Sequence, residues 1–236
     1  MVSRPKCMHM QTVKWELCPN NTVQSFVGRK KYMTKDLSAN ELDLEVHKYL
    51  NQFDIGPLMD HFKLLGDGQL LEVQNKTENS HLYYQWLSCL MRVLKPKQVV
   101  ELGAAAGIST IAMATQLDKD SKLYSVDIDP SIAWKWMSYE YPQVTKILGD
   151  DLDMSIWPKE VDLKKTDIWF FDTLHEKEQL QKEFDLYTPF FKKGTVVVVD
   201  DIRLNDGLFE IWNSLPYDKC ENTNPCHYSG FGFFIV

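Results

Sequence analysis

The sequence predicts an α/β domain built on a doubly wound, mostly parallel β-sheet. Three observations carry this. From residue 79 onward, short and nearly continuous apolar runs alternate with helical stretches, the pattern of a parallel sheet covered on both faces. Acidic residues recur at the ends of those runs. A turn with two glycines, Gly103 and Gly107, follows the first run, where a doubly wound sheet brings its backbone close to a ligand.

Each element follows from its local pattern. Residues 9–33 are irregular: Val13, Trp15 and Leu17 alternate, Cys18-Pro-Asn-Asn21 reads as a turn, and Thr22 to Val27 is again strand-like, which fits a hairpin. Between 40 and 54, Leu42, Val46, Tyr49, Leu50 and Phe53 share one helical face. Gly56-Pro57 ends that helix, a second short one runs to Leu65, and Gly66-Asp67-Gly68 is a loop. A helix covers 79–94 and stops at Lys95-Pro96. The apolar runs are 98–102, 122–127, 145–148, 167–172 and 195–200, and helices fit 108–117, 130–141, 176–191 and 205–214. The tail, 230–236, reads as a last strand. The regular pattern sets a boundary: residues 76–236 form the α/β domain, and residues 1–75 form an N-terminal segment that caps the site or makes a dimer contact.

Composition narrows the class. The chain has 236 residues, 44% hydrophobic and 25% charged, enough to bury a core without disulfides. Its net charge of −7 lacks the electrostatic footprint of a general nucleic-acid binder. No segment is apolar and long enough to span a bilayer or to serve as a signal peptide. The five cysteines show no CxxC pair, so neither a disulfide framework nor a zinc ribbon is suggested, and a cytoplasmic setting is expected. Cys220 and Cys226 are read as two reduced thiols.

The placement of acids is the most informative feature. Glu101 lies near the end of the first strand, Asp127 ends the second, Asp150-Asp151 follow the third, Asp172 ends the fourth and Asp200-Asp201 end the fifth. Parallel strands deliver these ends to one edge, where ligands bind at the point of reversed strand order. Crowded carboxylates raise each other's pKa and need hydroxyls, amides or cations as partners. Helix capping accounts for one or two such acids but not for all five strand ends. The spacing after Glu101 is G-x-x-x-G, unlike the G-x-G-x-x-G of dinucleotide binders. Asp127 lies where an acid accepts hydrogen bonds from ribose hydroxyls of an adenosine cofactor.

These residues resemble a known family. Val-Val-Glu-Leu-Gly-Ala-Ala-Ala-Gly-Ile-Ser-Thr110 looks like the first motif of class I S-adenosylmethionine-dependent methyltransferases, Ser-Val-Asp-Ile-Asp129-Pro like the second, and Leu-Gly-Asp-Asp-Leu152 like their adenine-contacting loop. Phe171-Asp-Thr-Leu-His175, with Phe191-Lys-Lys-Gly-Thr-Val-Val-Val-Val-Asp-Asp201, is similar to the metal-dependent small-molecule O-methyltransferases. Within those the sequence looks closest to the macrolide-sugar O-methyltransferase and cephalosporin-hydroxylase-like group, and next to catechol O-methyltransferase. The closing His227-Tyr-Ser-Gly-Phe-Gly also resembles that group. The resemblance covers roughly 79–236 and implies a Rossmann-like, seven-stranded sheet with an antiparallel last strand.

It also implies site roles. Glu101 and the Gly103 turn hold the amino-acid half of S-adenosylmethionine, Ser109 binds its carboxylate, Asp127 takes the ribose hydroxyls, and Asp151 borders the adenine. Asp172, Asp200 and Asp201 match the family's divalent-cation ligands. Catechol methyltransferase has Asp-Asn at the last pair, and this chain has Asp-Asp, which raises the site's negative charge. Three carboxylates suit Mg²⁺ or another hard divalent cation. His175, three residues past Asp172, is the candidate general base if the chain begins winding there.

The expected function is therefore metal-assisted O-methylation of a small-molecule hydroxyl on a sugar, catechol-like or natural-product acceptor, with neither nucleic acid nor membrane as partner and a homodimer open. Two rivals stand beside it. A hydroxylase or oxidoreductase of the cephalosporin-hydroxylase-like group needs an iron site with histidine ligands. A non-catalytic adenosine-cofactor-binding protein needs no acceptor.

Overall fold

The computed structural model describes residues 37–50, 80–130, 141–222 and 229–236, all within the compact unit Lys31–Val236. The strand-like stretches of 13–27, the break at Gly56-Pro57, the short helix after it, the loop 66–68, the helix at 130–141, and Cys226 and His227 lie outside the described residues. Seven strands form one sheet: β1 (Gln98–Leu102), β2 (Lys122–Asp127), β3 (Val144–Leu148), β4 (Ile168–Phe171), β5 (Val196–Val199), β6 (Asp218–Asn222) and β7 (Phe231–Ile235). Their order is β3-β2-β1-β4-β5-β7-β6. Strands β1 to β5 pair in parallel, and β7 runs antiparallel to both β5 and β6. This is the Rossmann-like, seven-stranded arrangement with an antiparallel last strand. Strand order reverses between β1 and β4, which puts the crevice at their C-terminal ends.

The helices are α1 (Ala39–Leu50), α2 (Ser80–Leu94), α3 (Ile108–Ala114), α4 (Lys177–Tyr187) and α5 (Asp206–Ser214). They divide into two layers because each strand shows alternate residues to opposite faces. In β4, Ile168 and Phe170 join the core made with α1, α2 and α3, which includes Leu42, Trp86, Leu90 and Ile111. Trp169 and Phe171 join the core made with α4 and α5, which includes Phe184, Tyr187, Leu208 and Trp212. The five apolar runs are all strands. The polar sequence Asp218-Lys-Cys-Glu-Asn222 carries no apolar run, and it forms the edge strand β6 because β7 supplies the ladder. No helix among the described residues is long and apolar enough to cross a membrane.

Helix α1 starts with a reciprocal cap. The Ser38 backbone N–H donates to Glu41 Oε2 at 2.8 Å, and the Glu41 N–H donates to Ser38 Oγ at 3.3 Å. Its buried stripe is Ala39, Leu42 and Val46. Asp43 ties the helix to two other elements. Its Oδ1 accepts from Trp86 Nε1 on α2 and from Asn222 Nδ2 on β6, both at 3.1 Å, and its Oδ2 lies 3.2 Å from His47 Nδ1. Burial works to raise the Asp43 pKa, but the bonds from His47, Asn222 and Trp86 prevail and hold it below the ordinary value. So a helix within the N-terminal segment is part of the domain's own packing.

The end of β1 fixes how closely the crevice loops approach. Gly103 has φ +83°, and a Cβ there would lie 1.8 Å from the carbonyl oxygen of Asp172. Both the left-handed conformation and the contact therefore demand glycine. The Gly103 N–H also donates to the Val126 carbonyl at 3.0 Å, which pins the turn to β2.

Two expectations follow. Asp43→Ala should lower unfolding free energy by about 2–4 kcal/mol, because Trp86 Nε1 and the Asn222 amide lose a shared acceptor. Leu44→Ala, at a residue 63% exposed, should stay within about 0.5 kcal/mol. Denaturant titration measures both, and equal effects would show that α1 is held by other contacts. Gly103→Ala should cost about 3–5 kcal/mol or prevent folding. A wild-type melting temperature in that variant would show that the turn does not press on the Asp172 backbone.

Candidate active site

The crevice is built from the residues that leave the ends of β1, β2, β3, β4 and β5. At its floor Glu101 is fully buried and accepts three hydroxyl bonds of 2.6 Å each, from Ser109, Thr110 and Ser125. Burial pushes its pKa up to about 7, against those hydroxyls, which pull it down. Both carboxylate oxygens and the Ser109 hydroxyl are thus committed to each other. The sequence reading gives Glu101 and Ser109 to the amino-acid half of the cofactor, and the structure bonds them to each other at the foot of the Gly103 turn.

Asp127 stands at the open edge. Its Oδ2 accepts from the Ala105 N–H at 2.7 Å and its Oδ1 from the Asp129 N–H at 2.8 Å. Each oxygen keeps a lone pair for a further donor, such as a ribose hydroxyl. Ala105, at φ 42°, is held in the left-handed region by this bond.

Across the switch point lies the acid and imidazole cluster. Asp172, His175 and Asp201 each offer a ligand atom, and these atoms all lie within 4.8 Å of one another. His175 Nε2 is 3.0 Å from Asp201 Oδ2 and 3.5 Å from Asp172 Oδ1. Hydrogen bonding to Asp172 and then Asp201 pushes its pKa up to about 10. His175 reaches this position from an extended loop, since α4 begins only at Lys177, so a helical turn is not what brings it to Asp172. Asn205 fixes the loop by donating from Nδ2 to the His175 carbonyl at 3.0 Å, and its Oδ1 caps α5. Asp201 is in the left-handed region at φ 55°, and its Oδ1 accepts from the buried Ser229 hydroxyl.

Asp200 takes a different position. It is buried, and the Tyr83 hydroxyl on α2 works to lower its pKa. Burial raises its pKa well above the ordinary value, and the charges of Asp172 and Asp201 raise it further. The compact ligand trio thus contains two of the three expected carboxylates, Asp172 and Asp201, with His175 in addition. Asp151 faces the other way, toward α4: Gln179 Nε2 lies 3.3 Å from its Oδ1, and the Tyr187 hydroxyl donates to its backbone carbonyl. None of these acids caps α3, α4 or α5, whose N-caps are Gly107, Glu176 and Asn205.

Two carboxylates with one imidazole form a hard donor set that fits a divalent cation. A facial triad for non-haem iron needs two histidines and one carboxylate, a set that the described residues do not offer at this site. Tyr83, Ser229 and Glu183 were missed by sequence reasoning. Tyr83 looks like any aromatic on an apolar helix face. Ser229 sits within the closing stretch whose likeness was noted. Glu183 had a readable signal, since it interrupts the buried stripe of Leu180, Phe184 and Tyr187.

Comparison with known proteins bears on the fold and on the segment that carries the strand-end acids. A family model described as a methyltransferase domain matches residues 100–202. A caffeoyl-CoA O-methyltransferase from Stellaria longipes is 30% identical over 86 residues, a match that spans 36% of this chain and 36% of that protein. Among solved structures, the O-methyltransferase TomG from Streptomyces achromogenes, involved in tomaymycin synthesis and solved with S-adenosylmethionine, is 18% identical. That match covers 82% of this chain and 95% of TomG, with a TM-score of 0.60. An O-methyltransferase from Bacillus cereus, solved with S-adenosylhomocysteine, is 18% identical over 83% of this chain and 99% of that one, with a TM-score of 0.58. At such identities the likeness in space speaks for the fold, and the matched segment adds the turn, the second strand and the acids through Asp201. Taken together, they show likeness to a methyltransferase domain over residues 100–202 and a fold shared with solved O-methyltransferases.

Proposed function

We propose that this protein methylates a hydroxyl of a small molecule carrying adjacent oxygens, with S-adenosylmethionine as donor and a divalent cation as helper. The observation that carries the reading is the contact between two halves of the crevice. The Gly103 turn on the cofactor side presses on the backbone of Asp172, which belongs to the cation-binding trio on the other side. Methyl transfer needs donor and acceptor aligned at short range, and this contact sets their separation.

When bound, the cofactor supplies an electrophilic methyl group and the cation supplies charge that acidifies and orients the acceptor hydroxyl. The chain's own residues do the rest. Asp127 takes the ribose hydroxyls on its remaining lone pairs. Glu101 and Ser109 keep the glycine turn in place beneath the amino-acid half of the cofactor, and Asp151 stands on the adenine side. Asp172 and Asp201 hold the cation, with Asp200 behind them. His175 takes the acceptor proton. As a base it must be neutral, which requires Asp172 and Asp201 to spend their charge on something other than its ring. Residues 1–75 are assigned as a segment that closes the site or joins two copies, anchored through α1.

Three measurements test this. Calorimetry with S-adenosylmethionine should show binding, weakened in Asp127→Ala by at least about tenfold, on the order of 1.4 kcal/mol. Unchanged affinity would remove Asp127 from the cofactor site. Release of S-adenosylhomocysteine, followed against a panel of catechols, sugars and hydroxylated natural products, should stop on chelation and return with Mg²⁺. Turnover that ignores chelation would overturn the role of the trio. His175→Ala should reduce turnover by about 10²–10⁴-fold with cofactor affinity nearly unchanged. Lost cofactor binding instead would place His175 on the cofactor side.

A further inference from the structure

Glu183 lies outside every role assigned above, yet it is fully buried in the wall between the two halves of the crevice. Its Oε1 accepts from Thr173 Oγ1 at 2.5 Å and from Gln179 Nε2 at 2.8 Å. The same Gln179 amide lies 3.3 and 3.4 Å from the two oxygens of Asp151. One NH₂ group is thus wedged between two carboxyls, and Glu183 Oε2 is buried without a hydrogen-bond partner among the described residues. Two carboxylates that share one amide donor repel each other, and a single proton taken up by the pair relieves that repulsion. The proton belongs to Glu183, because Asp151 keeps partial contact with solvent and Glu183 has none.

We propose that Glu183 is a positioning residue: protonated, it bridges Asp151 on the adenine side to Thr173 beside Asp172, and cofactor affinity falls when that proton leaves. The link to affinity rests on the reading that the adenine lies beside Asp151, whereas the shared proton itself does not. Burial first, and then the charge of Asp151, pushes the Glu183 pKa up to about 8, and burial raises Asp151 as well. The groups facing the pair come from several elements. Asp150 and Asp151 lie after β3, Asp127 ends β2, Thr173 follows β4, and Gln179 and Tyr187 belong to α4. At the first turn of α4, Lys177 is committed to Glu210 of α5 at 2.7 Å.

Glu183→Gln provides the test, because a glutamine amide donates to Asp151 at every pH and its carbonyl still accepts from Thr173 and Gln179. The sign follows from linkage. A carboxyl that holds its proton more tightly when folded loses stability as pH rises from its unfolded pKa to its folded one, and loses no more beyond that. The wild-type melting temperature, without ligands, should therefore fall relative to Glu183→Gln between pH 5 and 8, on the order of 5 °C, and the gap should stop widening above pH 8. S-Adenosylhomocysteine affinity should weaken about tenfold more in the wild type than in the variant between pH 7.5 and 9.5. Parallel melting profiles would overturn the shared proton. A widening gap with identical affinity profiles would overturn the link to the cofactor. No binding of S-adenosylhomocysteine to either protein would overturn both that link and the cofactor reading itself, while the melting profiles still decide the proton. If Glu183→Gln fails to fold, Asp151→Asn takes its place in the melting arm: without the neighbouring charge, the loss from pH 5 to 8 should be smaller than in the wild type, and an equal loss would overturn the bridge.

Discussion

Negative charge gathered along one edge of the sheet is the constraint to which the rest of the crevice answers. A parallel sheet sends every strand end to the same rim, and here nearly every strand end carries an acid. Each acid is relieved by different chemistry. Glu101 is wrapped by three hydroxyls, Asp127 accepts two backbone N–H groups, Asp201 has Ser229 and His175, and Asp200 has Tyr83. Local relief fixes side-chain positions, and it leaves the trio at the mouth with unspent negative charge. A buried acid near the floor holds a ring of hydroxyls in place, whereas Asp172 at the mouth is partly open to water and, with Asp201 buried beside it, remains available to an ion.

The support beneath the rim is equally specific. Glu101 on β1, Ser109 and Thr110 on α3 and Ser125 on β2 form a polar island inside an otherwise apolar layer. Such an island is stable only when every member is satisfied, and replacing one hydroxyl would leave a buried carboxylate short of a donor. Because the island spans two strands and a helix, it locks the glycine turn to both of its neighbours. The turn can then approach Asp172 without being free to slide.

Much of this was legible in the residues. Continuous apolar runs marked the parallel strands, since burial on both faces leaves no polar alternation to confuse the reading. The strand-end acids located the crevice, and the spacing of Gly103 and Gly107 located the turn. What escaped had weaker local signals. Strand β6 is polar, and only its partner β7 makes it a strand. The distinct placements of Asp200 and Asp201 cannot be read from two identical neighbours. They depend on the left-handed backbone at Asp201, a tertiary result. His175 was singled out by its distance from Asp172 along a helix. The loop reaches the same partner by another path, held by an asparagine thirty residues away in sequence.

The contact between Gly103 and Asp172 is made backbone to backbone, and this bears on how such a protein can diverge. The nearest atoms to the Gly103 turn are backbone atoms of Asp172 and Thr173. Leu174 and Leu204, in the loops beside it, are exposed and take no part in that backbone contact. On the proposed reading, a lineage can change its acceptor one loop residue at a time, with glycine at 103 as the part it cannot give up.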